Sequence, residues 1–437
     1  MKNTTYIRYI IGFLIAIFIS SSTYAQQAPA KNQENLILIK GATLHLGNGE
    51  VIDKGNILLK DGKIEAISSE EITHEEEITE VIEAKGKHVY PGFIAANASI
   101  GLAEVDAVRA TVDVDEIGTF LPHIRSIIAY DAESKIVESM RPNGVLIAQI
   151  TPRGGRITGT SSVVQLDAWN WEDAVVKEDD AIHINWPSRF VKKGAWYDPK
   201  VGYEQNKEYD KQVGELYAFF EQAKAFNQLK TKDHHLAFSA MNKVFSAEKK
   251  VFINVDAEKD IIDVLAFKKQ LGLNEVVIIG GRYAAKLAKE LKENKVAVLV
   301  TRVHSTPQSD DDDYDLPYKL PYLLHKEGVL VGLQNTGDME RMNTRNFPFY
   351  AGTTVAHGLT KEEALSLITL NNAKILGIDK THGSLEVGKS ATLFISEGDA
   401  LDMPTNLIHK AYIEGREISL ESHQTNLYQR YKAKYSE

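Results

Sequence analysis

Pro91-Gly92-Phe93-Ile94-Ala95-Ala96-Asn97-Ala98-Ser99 is the stretch that decides the fold. Pro and Gly punctuate the chain, and the run after them is apolar without alternation until Asn97 and Ser99. A strand of that kind is buried on both faces, as in a parallel sheet. The pattern recurs downstream at Val251–Val255, Val276–Ile279, Val296–Val300 and Val329–Leu333. Amphipathic helical stretches, Asp260–Gln270 and Arg282–Leu291, lie between these runs. In the first half, Val145–Ile150 reads as a strand, Ser162–Leu166 and Ile182–Trp186 as weaker ones, and Val213–Leu229 as a helix. Repeated βα units from Val89 to about Ala356 predict an α/β fold, a (β/α)8 barrel.

The flanks read differently. Leu36–Ile39, Ile57–Leu59 and Lys63–Ile67 are short β runs set off by Gly47-Asn48-Gly49 and Asp61-Gly62 turns. The glutamate-rich segment 70–80 reads as a solvated loop. Thr360-Lys361-Glu362-Glu363 is a capping box that opens a helix, with Gly377 to end it. Ser384–Glu386, Thr392–Ser396 and Ala411–Ile413 are then expected as tail strands that complete the N-terminal β unit. The expected layout is a signal peptide at 1–25, a β-sandwich domain shared by 26–90 and 378–437, and the barrel at 91–377.

Lys2 and Arg8, an apolar run Tyr9–Ser20 and the small residues before Ala25 form a secretory signal pattern. The run is too short for a convincing membrane span, and no later stretch resembles one. A periplasmic or secreted chain, soluble after cleavage at Ala25, is expected. Formal charge is −10, and about −12 without Lys2 and Arg8, which argues against nucleic acid as a partner. With no cysteine, neither a disulfide nor a thiol nucleophile is available.

Pro91–Ser99 resembles the first barrel strand of the amidohydrolase superfamily, which usually reads Pro-Gly-Phe-Ile-Asp-x-His-x-His. Asn371-x-Ala373-Lys374-Ile375-Leu376-Gly377, then Gly383-Ser384-Leu385-Glu386-x-Gly388-Lys389-x-Ala391, is similar to its C-terminal signature. Thr392 replaces a final aspartate there. Within the superfamily the chain looks closest to imidazolonepropionase-like members of secreted bacterial type. The resemblance implies metal ligands from His-x-His on strand 1, a Lys or Glu on strand 4, histidines on strands 5 and 6, and an Asp ending strand 8. This chain offers Asn97 and Ser99, then Asn254, Gly280-Gly281, and Asn335 or Thr336. Asp338 is the substitute carboxylate. Amides and hydroxyls are poor zinc ligands, so no metal and no cofactor is expected, and a polar, nearly uncharged pocket should replace the site.

His304 and Arg302 follow strand 7, and His304 with Asp338 are the weak catalytic candidates. Asn97, Ser99, Asn254, Arg302 and Thr336 are the ligand-binding candidates. Pro152–Gly159 resembles a phosphate-cradling loop without its Gly-Lys-Ser/Thr ending, and reads as a pocket rim carrying Arg153 and Arg156. His123 and His183 are possible pocket residues, His234-His235 a helix start, and His325 and His357 structural. Asp310–Asp313 with Asp315 reads as a solvated acidic loop and not a calcium site. Asn343–Phe349 reads as a structured rim for a ligand or partner. The sequence is compatible with two functions. One is an amidohydrolase-like pseudoenzyme that binds a small molecule, self-associates, or pairs with an active homologue. The other is a hydrolase of non-peptide C–N bonds, such as cyclic amides, with a displaced metal such as zinc or a metal-free mechanism.

Overall fold

The computed structural model describes residues 28–194, 202–229, 234–337 and 339–436. The segment read as a signal peptide and Asp338 lie outside the described residues.

The chain first lays down β1 (Ile37–His45), β2 (Val51–Lys60), β3 (Lys63–Ser68), β4 (Glu80–Glu83) and β5 (His88–Pro91). The Asp61-Gly62 turn joins β2 to β3, with both residues in the left-handed region that tight hairpins need. Gly92 then leads directly into the barrel, whose strands are β6 (Phe93–Ala98), β7 (Val145–Ile150), β8 (Ile157–Gln165) and β9 (Val175–Asn185). An exposed ribbon, β10 (Phe190–Lys193) with β11 (Gly202–Gln205), follows. The barrel resumes with β12 (Lys250–Val255), β13 (Val276–Gly280), β14 (Ala297–Val300) and β15 (Val331–Leu333). A parallel bridge from Ala96 to Gln334 closes it. The tail returns as β16 (Leu393–Ser396), β17 (Ile408–Ile413) and β18 (Arg416–Glu417), with β16 antiparallel to β5. Strands from both ends of the chain therefore share one hydrogen-bonded sheet.

That sheet is apolar on both faces. Ile37, Ile39, Ile57 and Leu59 pack on one side, and Leu36, Leu38 and Leu58 on the other. Ile72 and Ile78 of the glutamate-rich segment cover the second side. The expected solvated loop is thus also a lid of two isoleucines. Ser384–Glu386 forms no strand; Leu385 N–H donates to the Leu46 carbonyl instead.

The barrel departs from eight parallel strands at one place. β8 runs antiparallel to both β7 and β9. The connections on either side, 151–156 and 166–174, carry no crossover helix beyond the one turn Trp171–Ala174. Only antiparallel neighbours can be joined so briefly. Gly154 (φ +77°) and Gly155 (φ +58°) make the reversal, and a Cβ on Gly154 would lie 2.7 Å from the Asp115 Cβ. The start of β8, not its end, therefore faces the barrel mouth.

The labelled helices are α1 (Lys135–Glu138), α2 (Tyr209–Gln228), α3 (Glu258–Leu271), α4 (Ala288–Glu293), α5 (Leu316–Lys326), α6 (Glu340–Asn343), α7 (Phe347–Val355), α8 (Lys361–Leu367), α9 (Leu370–Leu376) and α10 (His423–Tyr435). The helix expected across 282–291 is a 3-10 turn at Ala284–Leu287 followed by α4. The Thr360 capping box is present, and Gly377 ends α9 at φ +71°. The single helix expected between them breaks at Ile368-Thr369. The break turns α9 across the base of the barrel, where Asn372 Nδ2 donates to the Ile94 and Leu333 carbonyls. Ala373, Ile375 and Leu376 seal that end against Ile94, Phe252, Val277 and Leu299. Catalytic sites of such barrels sit at the opposite end.

Candidate functional site

The mouth cluster is organised by Asn97. It sits at φ +51° in a bulge that shifts the β6–β7 register between Ala95 and Ala98. Asn adopts that conformation more readily than most residues. Its backbone N–H donates to Gln149 Oε1 (3.0 Å), and its Nδ2 donates to Thr336 Oγ1 (2.6 Å). Arg153, from the Gly-Gly reversal, donates to Asn97 Oδ1 (3.2 Å) and to the Asn97 carbonyl (2.9 Å).

The same guanidinium reaches Glu340 Oε1 at 3.0 Å. Ser99 Oγ donates to that oxygen too, and Gly337 N–H donates to Oε2 (3.1 Å). Glu340 opens α6, immediately beyond β15. Arg341 ties the cluster outward, pairing with Asp106 and reaching Ser99 Oγ at 3.4 Å. The crevice bounded by Ala95–Ala98, Asn335, Glu340, Thr344 and Phe347 leaves about 0 Å³ for a water. Asn335 Oδ1 is the one atom of this cluster buried without a partner among the described residues.

A second polar chain runs inward from Gln149. Its Nε2 donates to Asp180 Oδ2 (2.8 Å) and Ser161 Oγ (3.2 Å). Ser161 Oγ donates to Asp180 Oδ1 (2.7 Å) and meets His183 Nε2 at 2.9 Å. His183 stacks on Phe252, ring centroids 5.0 Å apart. Burial pushes the His183 pKa well below its usual value, with Arg153 adding to the effect. Burial also pushes Asp180 up, against hydrogen bonds from Ser161 and Gln149.

The candidates read from sequence therefore separate. Asn97, Ser99 and Thr336 meet in one cluster. Asn254 belongs to a neighbouring one: its Nδ2 donates to Asn185 Oδ1 (2.9 Å), and Asn185 holds the Gly155 carbonyl (2.9 Å). Gly280 (φ +93°) passes so close to Asp256 that a Cβ would stand 2.6 Å from its Oδ1. His304 lies apart, its Nε2 2.6 Å from Thr353 Oγ1 of α7 and its ring edge-on to Tyr350. Burial, then Arg302, lowers its pKa. Arg156 leaves the mouth to pair with Glu215 (2.5 Å), and His235 caps the helical turn Leu236–Ala240. The pocket is also not the nearly uncharged one expected: it holds a full ion pair. Glu340, Gln149 and Asp180 were missed from sequence. The readable signal for Glu340 was Arg153, since a guanidinium in a Gly-Gly loop under a barrel mouth needs a carboxylate.

A family model described as "Amidohydrolase family" matches residues 238–418. An imidazolonepropionase of Flavobacterium psychrophilum is 39% identical over 110 residues, 24% of this chain and 27% of that protein. One from Pseudomonas fluorescens is 47% identical over 89 residues, 20% of this chain and 21% of that protein. The chain thus aligns with about a quarter of the length of these relatives. A crystal structure of an amidohydrolase from Thermotoga maritima MSB8 superposes with a TM-score of 0.75 at 23% identity, covering 87% of this chain and 99% of that one. Residues 238–418 are thus similar to the amidohydrolase family, and the fold matches that of the superposed amidohydrolase.

The donor set is unusual where the resemblance implies metal ligands. Asn97, Ser99, Asn254 and Thr336 are neutral, and each is hydrogen-bonded to another side chain of the mouth. A hydrolytic zinc takes imidazole and carboxylate donors. Among the described residues, no group of three or more His, Asp or Glu is placed to hold a metal ion. Both Glu340 oxygens are engaged, one of them by a fixed cation. A divalent ion beside Arg153 would meet like charge at contact distance. Among the described residues, the donors at the mouth do not fit the metal.

Proposed function

We propose that this amidohydrolase-fold chain works without a hydrolytic metal, as a ligand-binding or partner subunit. One observation carries the reading: the Arg153 guanidinium, bonded to Asn97 and Glu340, stands among the positions where the family resemblance puts ligands. Among the described residues, the cluster has no activated nucleophile and no carboxylate free to take a proton from water. The leader-like N-terminus supports export to a periplasm or the medium. Among the described residues, no helix is long and apolar enough to cross a membrane.

The test is metal content together with turnover. Full-length protein, purified without chelator and then exposed to zinc, should retain far less than one metal per chain. It should also leave imidazolone and cyclic-amide substrates intact. Stoichiometric zinc with chelator-sensitive hydrolysis would overturn the reading, and would restore an active C–N hydrolase of the kind named in the imidazolonepropionase relatives.

A further inference from the structure

We infer that α10 is a docking element for a second copy of this chain, and that its receptor is the acidic connection 102–117 at the other copy's barrel mouth. The inference does not depend on what the mouth binds. α10 has thirteen residues and none is buried. Its start is fixed by the Ser422 capping box and by His423 N–H, which donates to Glu138 Oε1 at 2.6 Å. Among the described residues, no hydrogen bond or ion pair joins 424–435 to another element. A lone helix of this length is marginal in water, and most helical stability in proteins comes from packing an apolar face. α10 shows such a face: Leu427, Tyr428, Tyr431 and Tyr435 fall on one side at helical spacing, with the helix's own Lys432 and Lys434 over the Tyr428 and Tyr435 rings, and Tyr435 is 75% exposed.

The charge of α10 selects the occupant. Arg430, Lys432 and Lys434 lie on it, and residues 423–435 contain no Asp or Glu, in a chain whose net charge is −10. An anionic lipid surface would attract the helix but repel the body. The complementary surface is present on the same molecule. The connection 102–117 exposes Val105, Val108 and an almost fully exposed Ile117, interspersed with Asp113, Asp115 and Glu116. Among the described residues, neither Asp113 nor Glu116 has an ion-pair partner. Arg341 holds this connection to the mouth through Asp106. An aromatic, cationic helix thus faces an aliphatic, anionic loop. Both belong to the β6–β7 sector, since α10 is anchored on α1 at the end of that same connection. Reciprocal docking across a twofold axis satisfies both patches at once and closes the assembly.

The experiment is sedimentation velocity on the full-length chain, with variants checked by circular dichroism. The native chain should dimerise, with the dissociation constant rising at least about tenfold between low and high salt. A chain ending at Glu421 should be monomeric. Lys432→Glu/Lys434→Glu should be monomeric alone, and so should Asp113→Lys/Glu116→Lys, but the two mixed should recover a heterodimer. A native chain that stays monomeric at high concentration, or a dimer that survives the truncation, would overturn the proposal. So would α10-dependent capture by vesicles of anionic lipid with no self-association.

Discussion

Replacing Glu340 by Gln keeps the shape of the mouth and removes one charge. The Glu340 side chain is 10% exposed and that of Arg153 is 24%. Breaking a buried pair costs roughly 3–5 kcal/mol when one charge is left alone. Water still reaches part of Arg153, so about 2–4 kcal/mol is expected for Glu340→Gln. Arg153→Met should cost a similar amount, because it strands Glu340 and also empties two bonds to Asn97. The double variant Arg153→Met/Glu340→Leu removes both charges together. Its remaining losses are the bonds to Glu340 from Ser99 and Gly337 N–H and those from Arg153 to Asn97. Its cost should therefore fall short of the sum of the single variants by roughly 2–3 kcal/mol. Urea titrations followed by circular dichroism at neutral pH measure all four corners of the cycle. Single variants within about 0.5 kcal/mol of the native chain, or strictly additive costs, would show that this pair does not organise the mouth.

Other parts of the structure give outcomes of their own. Asn97→His/Ser99→His should restore little zinc uptake while Arg153 remains, and adding Arg153→Ala should raise it; equilibrium dialysis with zinc reads the difference. His382 is pushed down to about 4, by burial first and then by Lys389. Its unfolded pKa is near 6.5, so the unfolded chain binds the extra proton, and stability is lost as pH falls from about 6.5 toward 4, by about 3 kcal/mol. His382→Asn should flatten that slope in urea midpoints taken across the window. Gly332→Ala places a Cβ 2.0 Å from Asn372 Oδ1 at the barrel base; a loss of about 1–3 kcal/mol is expected from overpacking, read by thermal unfolding.

Much of the fold is legible because local chemistry and tertiary fate agree. The apolar run before Asn97, the Thr360 capping box and the Asp61-Gly62 turn each specify their element within a few residues. The reversal of β8 is not legible, because Ile157–Gln165 has the same strand signal in either direction. The direction is set by the length of the connections, which sequence patterning does not weigh. Likewise the continuous helix expected from Thr360 to Gly377 carries no Pro or Gly at its break. Thr369 is turned there by the need to put Asn372 under the barrel. Glu340 escaped notice for a related reason. Its partner Arg153 lies 187 positions away, and only barrel closure brings β15 beside β6.

The way the mouth is filled separates loss from replacement. Deleting metal ligands alone would leave a polar recess whose remaining donors and acceptors are buried without partners, each at a cost of about 1–3 kcal/mol. Among the described residues of this cluster, Asn335 Oδ1 alone is left so. Asn97 uses its backbone N–H, its carbonyl and both ends of its amide, each on a different partner or on Arg153. Ser99 and Gly337 turn toward one carboxylate, and that carboxylate meets one guanidinium. The cation at this mouth is the Arg153 guanidinium, covalently part of the chain. A metal can leave and return, so a metal mouth is open by construction. A guanidinium held by a Gly-Gly turn, with a carboxylate fixed by the first residue of α6, locks β6, β7 and β15 together permanently. A mouth built this way favours rigidity, because each polar partner holds the others in one arrangement.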